Sequence, residues 1–264
     1  MEKFNILQIG DRFFRILNPL NHTFYLIEGE TLAAVIDTGA AEGEKIVPML
    51  RTLTDKPLIL ILTHAHFDHC HHMDEFDQVY LCHDELTMPK DFLDAMAEGK
   101  DFGQTIHIDT DSVIDLGNRR LEICKIPGHT PGSVAVFDEK EQIILTGDAI
   151  GSGCGVWMQL PGSTSLAEYE SSLLCFQKWL MARSTFPTFW GGHCLQRSVS
   201  AKVPGDNPVT MGLLADLIDL VHGLVHGTVS GWHIEMAELY RAGKEARNAA
   251  FGRAEITYNP EHIQ

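Results

Sequence analysis

The chain has 264 residues, of which 44% are hydrophobic and 21% charged, the balance of a folded globular protein rather than a disordered one. Twenty basic residues against 36 acidic ones leave a net charge of −16; such a chain has no general attraction for phosphate backbones or anionic membranes, which sets nucleic-acid and membrane partners aside. No apolar run is long enough to span a bilayer, and the opening Met-Glu-Lys-Phe-Asn lacks the basic-then-apolar pattern of a secretory leader, so a cytoplasmic protein is expected. The six cysteines, at 70, 82, 124, 154, 175 and 194, show no paired spacing and read as reduced thiols.

Taken in chain order, alternating apolar patterns predict strands over 4–9, 13–17, 22–28 and 32–37, with Gly29-Glu30 as a hairpin turn. A helix is predicted over 42–53, with Ile46, Val47, Met49, Leu50 and Leu53 on its apolar face. The continuous apolar run 58–62 reads as a strand buried on both sides. A short strand at 79–82 precedes a helix over 84–98 that Pro89 interrupts. Strands follow at 105–108, 112–116 and 120–126, then a hairpin of 134–138 with 142–146. A helix over 166–181, a strand over 185–190 and a long helix over 208–225 come next, the last with Asp206 or Asn207 as its cap and Pro208 at its first position. A final helix is predicted over 234–249. Together these predict an α/β fold of two packed sheets with helices outside, forming one domain over 1–264 in which 208–264 is a helical C-terminal portion.

Of 14 histidines, five (64, 66, 69, 71 and 72) fall within nine residues. They follow an apolar strand in Leu58-Ile-Leu-Ile-Leu-Thr-His64-Ala-His66-Phe-Asp68-His69. Imidazoles and a carboxylate in a tight loop at a strand end suit a divalent first-row metal, with zinc the leading choice. The pattern then recurs: strands lead into Pro127-Gly128-His129-Thr130-Pro131-Gly132-Ser133, into Gly147-Asp148 and into Gly191-Gly192-His193. Each time glycine, which permits a tight turn and close backbone approach, precedes a metal-type ligand. Strand ends meeting at one sheet edge would gather seven ligands: His64, His66, Asp68, His69, His129, Asp148 and His193.

His-x-His-x-Asp-His, Gly-His-Thr-Pro-Gly-Ser, Gly-Asp and Gly-His, in that order, resemble the metallo-β-lactamase superfamily over roughly residues 20–195. The resemblance implies an αββα sandwich of two mixed sheets flanked by helices, with two divalent metal ions at one edge. By matching position, His64, His66 and His129 would hold the first metal and Asp68, His69 and His193 the second, with Asp148 bridging both. Asp37, in Val35-Ile36-Asp37-Thr38-Gly39, matches the family's first aspartate and would orient a ligand histidine through its other ring nitrogen. Two cations sharing a water would make hydroxide available near neutral pH. Asp68 would also orient this nucleophile, giving Asp68 and Asp148 catalytic roles beside their ligation.

Iron, manganese and nickel would also accept this donor set. A small ester, thioester or lactone is the expected substrate; a phosphodiester, or a sensor that keeps the site without turnover, are the other readings. Hydroxyacylglutathione fits less well, since Ala149 to Leu160 departs from the glyoxalase II continuation and no basic set for glutathione follows. Trp157, Met158 and Leu160 form either an apolar wall for an acyl chain or a cover for the core. His71 and His72 read as helix-surface residues, Cys194 as a packed thiol, the glycine-rich 151–155 as an edge of the site, and His222 with His226 as structural. Helix 208–225 is apolar enough for core packing; a roof over the site or a homodimer contact are the alternatives.

Overall fold

The computed structural model describes residues 4–20, 22–40, 45–151, 155–183, 187–193, 210–237 and 244–264. One sheet holds seven strands in chain order: β1 (Asn5–Gly10), β2 (Phe13–Leu17), β3 (Thr23–Glu28), β4 (Ala33–Ile36), β5 (Leu58–Ile61), β6 (Val79–Leu81) and β7 (Ile106–His107). β1 to β4 are antiparallel neighbours, whereas β4 to β7 run parallel. Parallel neighbours need crossovers, and these carry the short helices α1 (Val47–Leu50), α2 (Phe67–Cys70) and α3 (Lys90–Ala97). A second, five-stranded sheet is built from β8 (Val113–Asp115), β9 (Arg120–Lys125), β10 (Val134–Asp138) and β11 (Ile143–Leu145), with β13 (Thr188–Trp190) parallel to β11 at its edge.

The period-two alternation of the strands sorts their side chains into three apolar layers. Tyr25, Ile27, Ile59 and Ile61 of the first sheet meet Leu121, Ile123, Val134, Val136, Ile143 and Leu145 of the second. The opposite face of the first sheet, Phe24, Leu26, Val35 and Leu60, packs on Ile46, Leu50, Cys70 and Ala97 of the α1–α3 side. The outer face of the second, Cys124, Ala135, Phe137 and Ile144, packs on α4 (Leu166–Met181) and α5 (Met211–Val225). This is the αββα sandwich. α4 starts at a capping box in which the Ser165 hydroxyl accepts from Glu168 N–H while Glu168 accepts from Ser165 N–H. Leu166, Tyr169, Leu173, Phe176 and Leu180 form its buried stripe.

Several boundaries differ from those predicted. The helix over 42–53 is regular only at Val47–Leu50, with 42–44 outside the described residues. The helix over 84–98 is a 3-10 turn at His83–Thr87, then α3 after Pro89. α5 is capped by Thr210, whose hydroxyl accepts from Leu213 N–H; residues 206–208, expected at its start, lie outside the described residues. Leu214, Leu217, Leu220, Val221 and Leu224 of α5 are buried in the core with α4, so its apolar surface is core packing rather than a roof.

The largest correction is C-terminal. The predicted helix over 234–249 does not form in its described part, and 208–264 is not a helical portion: β15 (Arg247–Phe251) and β16 (Ala254–Tyr258) make a hairpin across Gly252-Arg253. With β12 (Val156–Met158) and β14 (Trp232–His233) they form a third, four-stranded sheet, in which β12 pairs parallel to β16. The Ala-, Glu- and Arg-rich composition of 234–249 favours helix intrinsically. Packing overrides it, because Ala249, Ala254, Ile256 and Tyr258 find cover in the α4–α5 core. Among the described residues no helix is long and apolar enough to cross a membrane.

The forward ends of β4, β5, β9, β11 and β13 all lead toward one end of the sandwich. There the sheets are stitched by Thr23 N–H to Gly192 O (2.9 Å), Val134 N–H to Thr63 O (2.9 Å) and Tyr25 Oη–H to Gly191 O (2.6 Å). At the other end a buried ion pair joins Arg119 and Asp138, each side chain 1% exposed. The guanidinium also donates to Asp11 O (2.7 Å) and Glu28 O (3.1 Å), so it ties turns of both sheets. Asp138→Ala leaves that buried cation without its carboxylate and is expected to cost roughly 3–5 kcal/mol in urea unfolding, whereas Arg119→Met with Asp138→Leu should lose much less.

Candidate metal centre

β5 ends at Ile61, and the chain continues past Thr63 and turns through His64 and His66 into α2, whose first turn carries Asp68 and His69. His64 and His69 are 1% exposed and His66 6%. The loop after β9 brings His129 Nε2 to 2.9 Å from His66 Nδ1, and His64 Nε2 lies 3.1 Å from that same atom. Three imidazole nitrogens thus converge on one point from two loops 63 residues apart.

A second group adjoins the first. His69 Nε2 is 3.6 Å from Asp68 Oδ2 and 3.6 Å from Asp148 Oδ1. His193 Nε2 is 3.1 Å from Asp68 Oδ2 and 3.4 Å from Asp148 Oδ2, while His129 Nε2 is 3.8 Å from the latter oxygen. Asp148 therefore stands between the two histidine groups. All seven side chains read from the sequence meet in one place.

The backbone that allows this is glycine-dependent at two points. Gly147 has φ +49°, and a Cβ there would run into Thr63 Oγ1. A Cβ on Gly192 would strike Asp148 Oδ1 and sit 2.6 Å from His69 Cε1. Asp37 is itself held at φ +60°, in the left-handed region. Its Oδ1 accepts from Thr63 N–H (2.7 Å), and its Oδ2 from Thr63 Oγ1–H (2.7 Å) and from the His69 ring at Nδ1 (2.8 Å). Those contacts direct His69 Nε2 inward. In the same way Trp157 O lies 2.7 Å from His129 Nδ1 and turns Nε2 of that ring inward.

Electrostatics divide the site. Burial holds His64 well below the usual imidazole range, His66 at about 3 and His129 below its ordinary value, so these rings are neutral donors. Burial also pulls on His69 and His193, but the carboxylates of Asp68 and Asp148 outweigh it: His69 is raised well above its ordinary value and His193 to about 10. Burial pushes Asp68 and Asp148 upward in turn, and His69 with His193 reverse it, holding both carboxylates low.

The donors fit divalent cations. His69 Nε2 and Asp148 Oδ1 are buried and have no hydrogen-bond partner among the described residues. An unpaired buried polar atom costs about 1–3 kcal/mol, yet these two face one another across 3.6 Å. Nitrogen and oxygen donors each about 2.0–2.2 Å from zinc are separated by such a span. The trio His64, His66 and His129 also offers a set of ring nitrogens close enough together to share one ion.

Other expectations meet mixed outcomes. Met158 is 2% exposed and packs in the α4–α5 core, so it is not part of an acyl wall. Val156 and Met158 point into that core, which turns Trp157 to the other face of β12. His72 is buried rather than on a surface, with Nδ1 3.0 Å from Glu75 Oε1, and His71 pairs with Glu98 at 3.0 Å. Both line a cavity of about 740 Å³ with Lys45 and Lys100, and none of the seven candidate ligands lines it. His222 Nδ1 is 2.6 Å from Glu170 Oε1, with His226 beside it, so this pair joins α5 to α4. Cys194 and residues 152–154 of the glycine-rich loop lie outside the described residues.

Two residues escape sequence reasoning. His22, just before β3, lies beside Asp68 and His193. Glu85 is 0% exposed and spans the two ligand loops, accepting from Ala65 N–H (2.7 Å) and Gly132 N–H (2.6 Å). Burial pushes its carboxyl up to about 7 against those hydrogen bonds. Neither residue carries a spacing signal, because each acts from an element remote in sequence. Glu85→Gln turns an amide N–H₂ toward a backbone donor. It is expected to cost roughly 1–3 kcal/mol in thermal or urea unfolding and to weaken metal retention on dialysis.

The comparisons agree with this geometry. A family model described as the metallo-beta-lactamase superfamily matches residues 17–178. An acyl-coenzyme A thioesterase, MBLAC2 of Bos taurus, is 27% identical over 190 residues, covering 56% of this chain and 64% of that protein; the chain thus spans less than two thirds of that relative's length. The probable metallo-hydrolase YqgX of Bacillus subtilis is 30% identical over 152 residues, covering 52% and 70%. Among solved structures, a metallo-beta-lactamase from Pontibacter korlensis superposes with a TM-score of 0.61 at 16% identity, covering 83% of this chain and 99% of that one. With the family model covering more than half of its length and the family's fold around its ligand loops, the chain belongs to the metallo-β-lactamase superfamily.

Proposed function

We propose that this chain is a two-metal hydrolase of small esters, thioesters or lactones, with zinc as its metal, working as one domain in the cytoplasm. The observation that carries the reading is the convergence of seven buried or half-buried donors from four loops, two of their atoms buried and unpaired. The relatives point the same way, since their names describe a thioesterase and a probable metallo-hydrolase. The unpaired cysteines 70, 82, 124 and 175 suit a reducing compartment.

In this reading His64, His66 and His129 would hold one cation and Asp68, His69 and His193 the other, with Asp148 placed to serve both. When bound, the cations supply a solvent nucleophile near neutral pH and polarise the scissile carbonyl. The protein's own groups do the rest. Asp37 keeps the His69 ring from rotating, and Trp157 O does so for His129. Asp68, at 25% the most open of these carboxylates, accepts a hydrogen bond from the attacking water and orients it toward the acyl carbon. Trp157, facing away from the core, offers an apolar surface for the acyl group.

Purified protein assayed against p-nitrophenyl esters, lactones, thioesters and a bis-phosphodiester should turn over the acyl compounds; turnover of the phosphodiester alone, or of none, overturns the reading. His66→Ala should abolish activity and lower metal content by elemental analysis, while Asp37→Asn should keep metal but lose about 10–100-fold in affinity or activity. Trp157→Ala should erase any preference between long and short acyl groups, measured as the ratio of their kcat/KM values.

A further inference from the structure

We propose that His22, which belongs to none of the sequence motifs, is a fixed hydrogen-bond donor to the departing oxygen or sulfur of the substrate; this rests on the hydrolase reading above. The argument begins with its ring tautomer. His22 Nδ1 lies 3.2 Å from Ala40 N–H, a donor with no choice of role. Asn18 Nδ2 lies 3.3 Å from the same nitrogen. The orientation of that amide is fixed, because its Oδ1 accepts from Leu20 N–H (3.0 Å) and His22 N–H (2.9 Å) and its Nδ2 donates to Ala40 O (2.7 Å). Two donors therefore face Nδ1, which must be the bare nitrogen, and the proton of the neutral ring sits on Nε2.

That proton points into the metal centre. Nε2 is 3.8 Å from Asp68 Oδ2, too far for a hydrogen bond to it. The ring stands edge-on to His193 at a centroid distance of 5.3 Å, and the backbones of His22 and His193 form an antiparallel bridge. Geometry alone would let His22 join Asp68 and His193 as a ligand. The tautomer argues against it, since ligation through Nε2 would force a proton onto Nδ1 against both Ala40 N–H and Asn18 Nδ2. His22 is instead an N–H donor beside the ligands, with its side chain 17% exposed on the open side of the site.

Its neighbours decide what it meets. His64, His66 and His129 form the neutral histidine side; on the hydrolase reading, a carbonyl polarised there would leave its departing atom on the side of Asp68 and His193, next to His22. During hydrolysis the water oxygen bonds to the acyl carbon and gives up a proton to solvent, the carbon–oxygen or carbon–sulfur bond breaks, and its electron pair leaves with that oxygen or sulfur, which takes a proton from solvent. The His22 N–H donates a hydrogen bond to the negative charge as it develops and keeps its own proton. A preorganised donor of this kind is worth about 10²–10³-fold in rate.

The test is a leaving-group series. His22→Ala should retain its metal by elemental analysis and its fold by circular dichroism, with a lowered melting temperature because Ala40 N–H loses its acceptor. It should lose about 100-fold in kcat on alkyl esters and alkyl thioesters, whose leaving groups need the donor most, but less than about 10-fold on p-nitrophenyl esters. His22→Gln, which keeps an N–H at similar reach, should recover most of the loss. Independently of any variant, the ¹⁵N shifts of the His22 ring in wild-type protein should show Nε2 protonated and Nδ1 bare. Equal losses across the series, loss of metal with His22→Ala, or the opposite tautomer would each overturn the proposal. Wild-type protein that turns over neither series brings down the hydrolase reading, and this inference with it. Wild-type turnover that His22→Ala leaves intact brings down this inference alone.

Discussion

The structure is organised around a cost that apolar packing cannot offset: seven polar ligating side chains are drawn together at one end of a sandwich, most of them out of contact with water. Buried donors and acceptors normally find partners. Here, among the described residues, His69 Nε2 and Asp148 Oδ1 do not, although Asp37 holds the other nitrogen of the His69 ring. The fold withholds ordinary partners from the ligating atoms while fixing the remainder of each side chain. Asp37 shows the effort involved. It adopts a left-handed backbone, a conformation that costs a non-glycine residue energy, and three contacts to Thr63 and His69 hold it there.

The site is also electrically asymmetric. One half consists of neutral imidazoles, and the other combines imidazoles with Asp68 and Asp148. The two positions therefore need not bind a cation equally well, because a carboxylate-rich set favours harder ions than a trio of nitrogens does. Around this asymmetry the rest of the chain is brace. Glu85 ties two ligand loops together from beneath, and the Arg119–Asp138 pair closes the far end of the sandwich.

Much of this was legible in the sequence. The central strands of both large sheets are buried on both faces, one against the other sheet and one against helices, so they stand out in the sequence as short continuous apolar runs bounded by turn residues. The ligand loops announce themselves because glycine and histidine at strand ends have few other uses. The third sheet was not legible. β14 is two residues long, β12 pairs with β16 across about a hundred positions, and the composition before β15 imitates a helix. Met158 reads as a possible substrate contact only until β12 is known to be a strand with its even positions in the core. His22 and Glu85 were missed for a different reason. A lone histidine or glutamate gains meaning from what lies across a sheet, and no local pattern encodes that.

The pairing of β12 with β16 has a consequence for biosynthesis. Trp157 O, which orients His129, belongs to β12, and β12 is a strand only while β16 lies alongside it. A nascent chain emerging from the ribosome would expose all seven candidate ligands by position 193, yet residues 254–258 would still be unmade. On the two-metal reading, the His129 position would take its final geometry late in synthesis, only after residues 254–258 join β12.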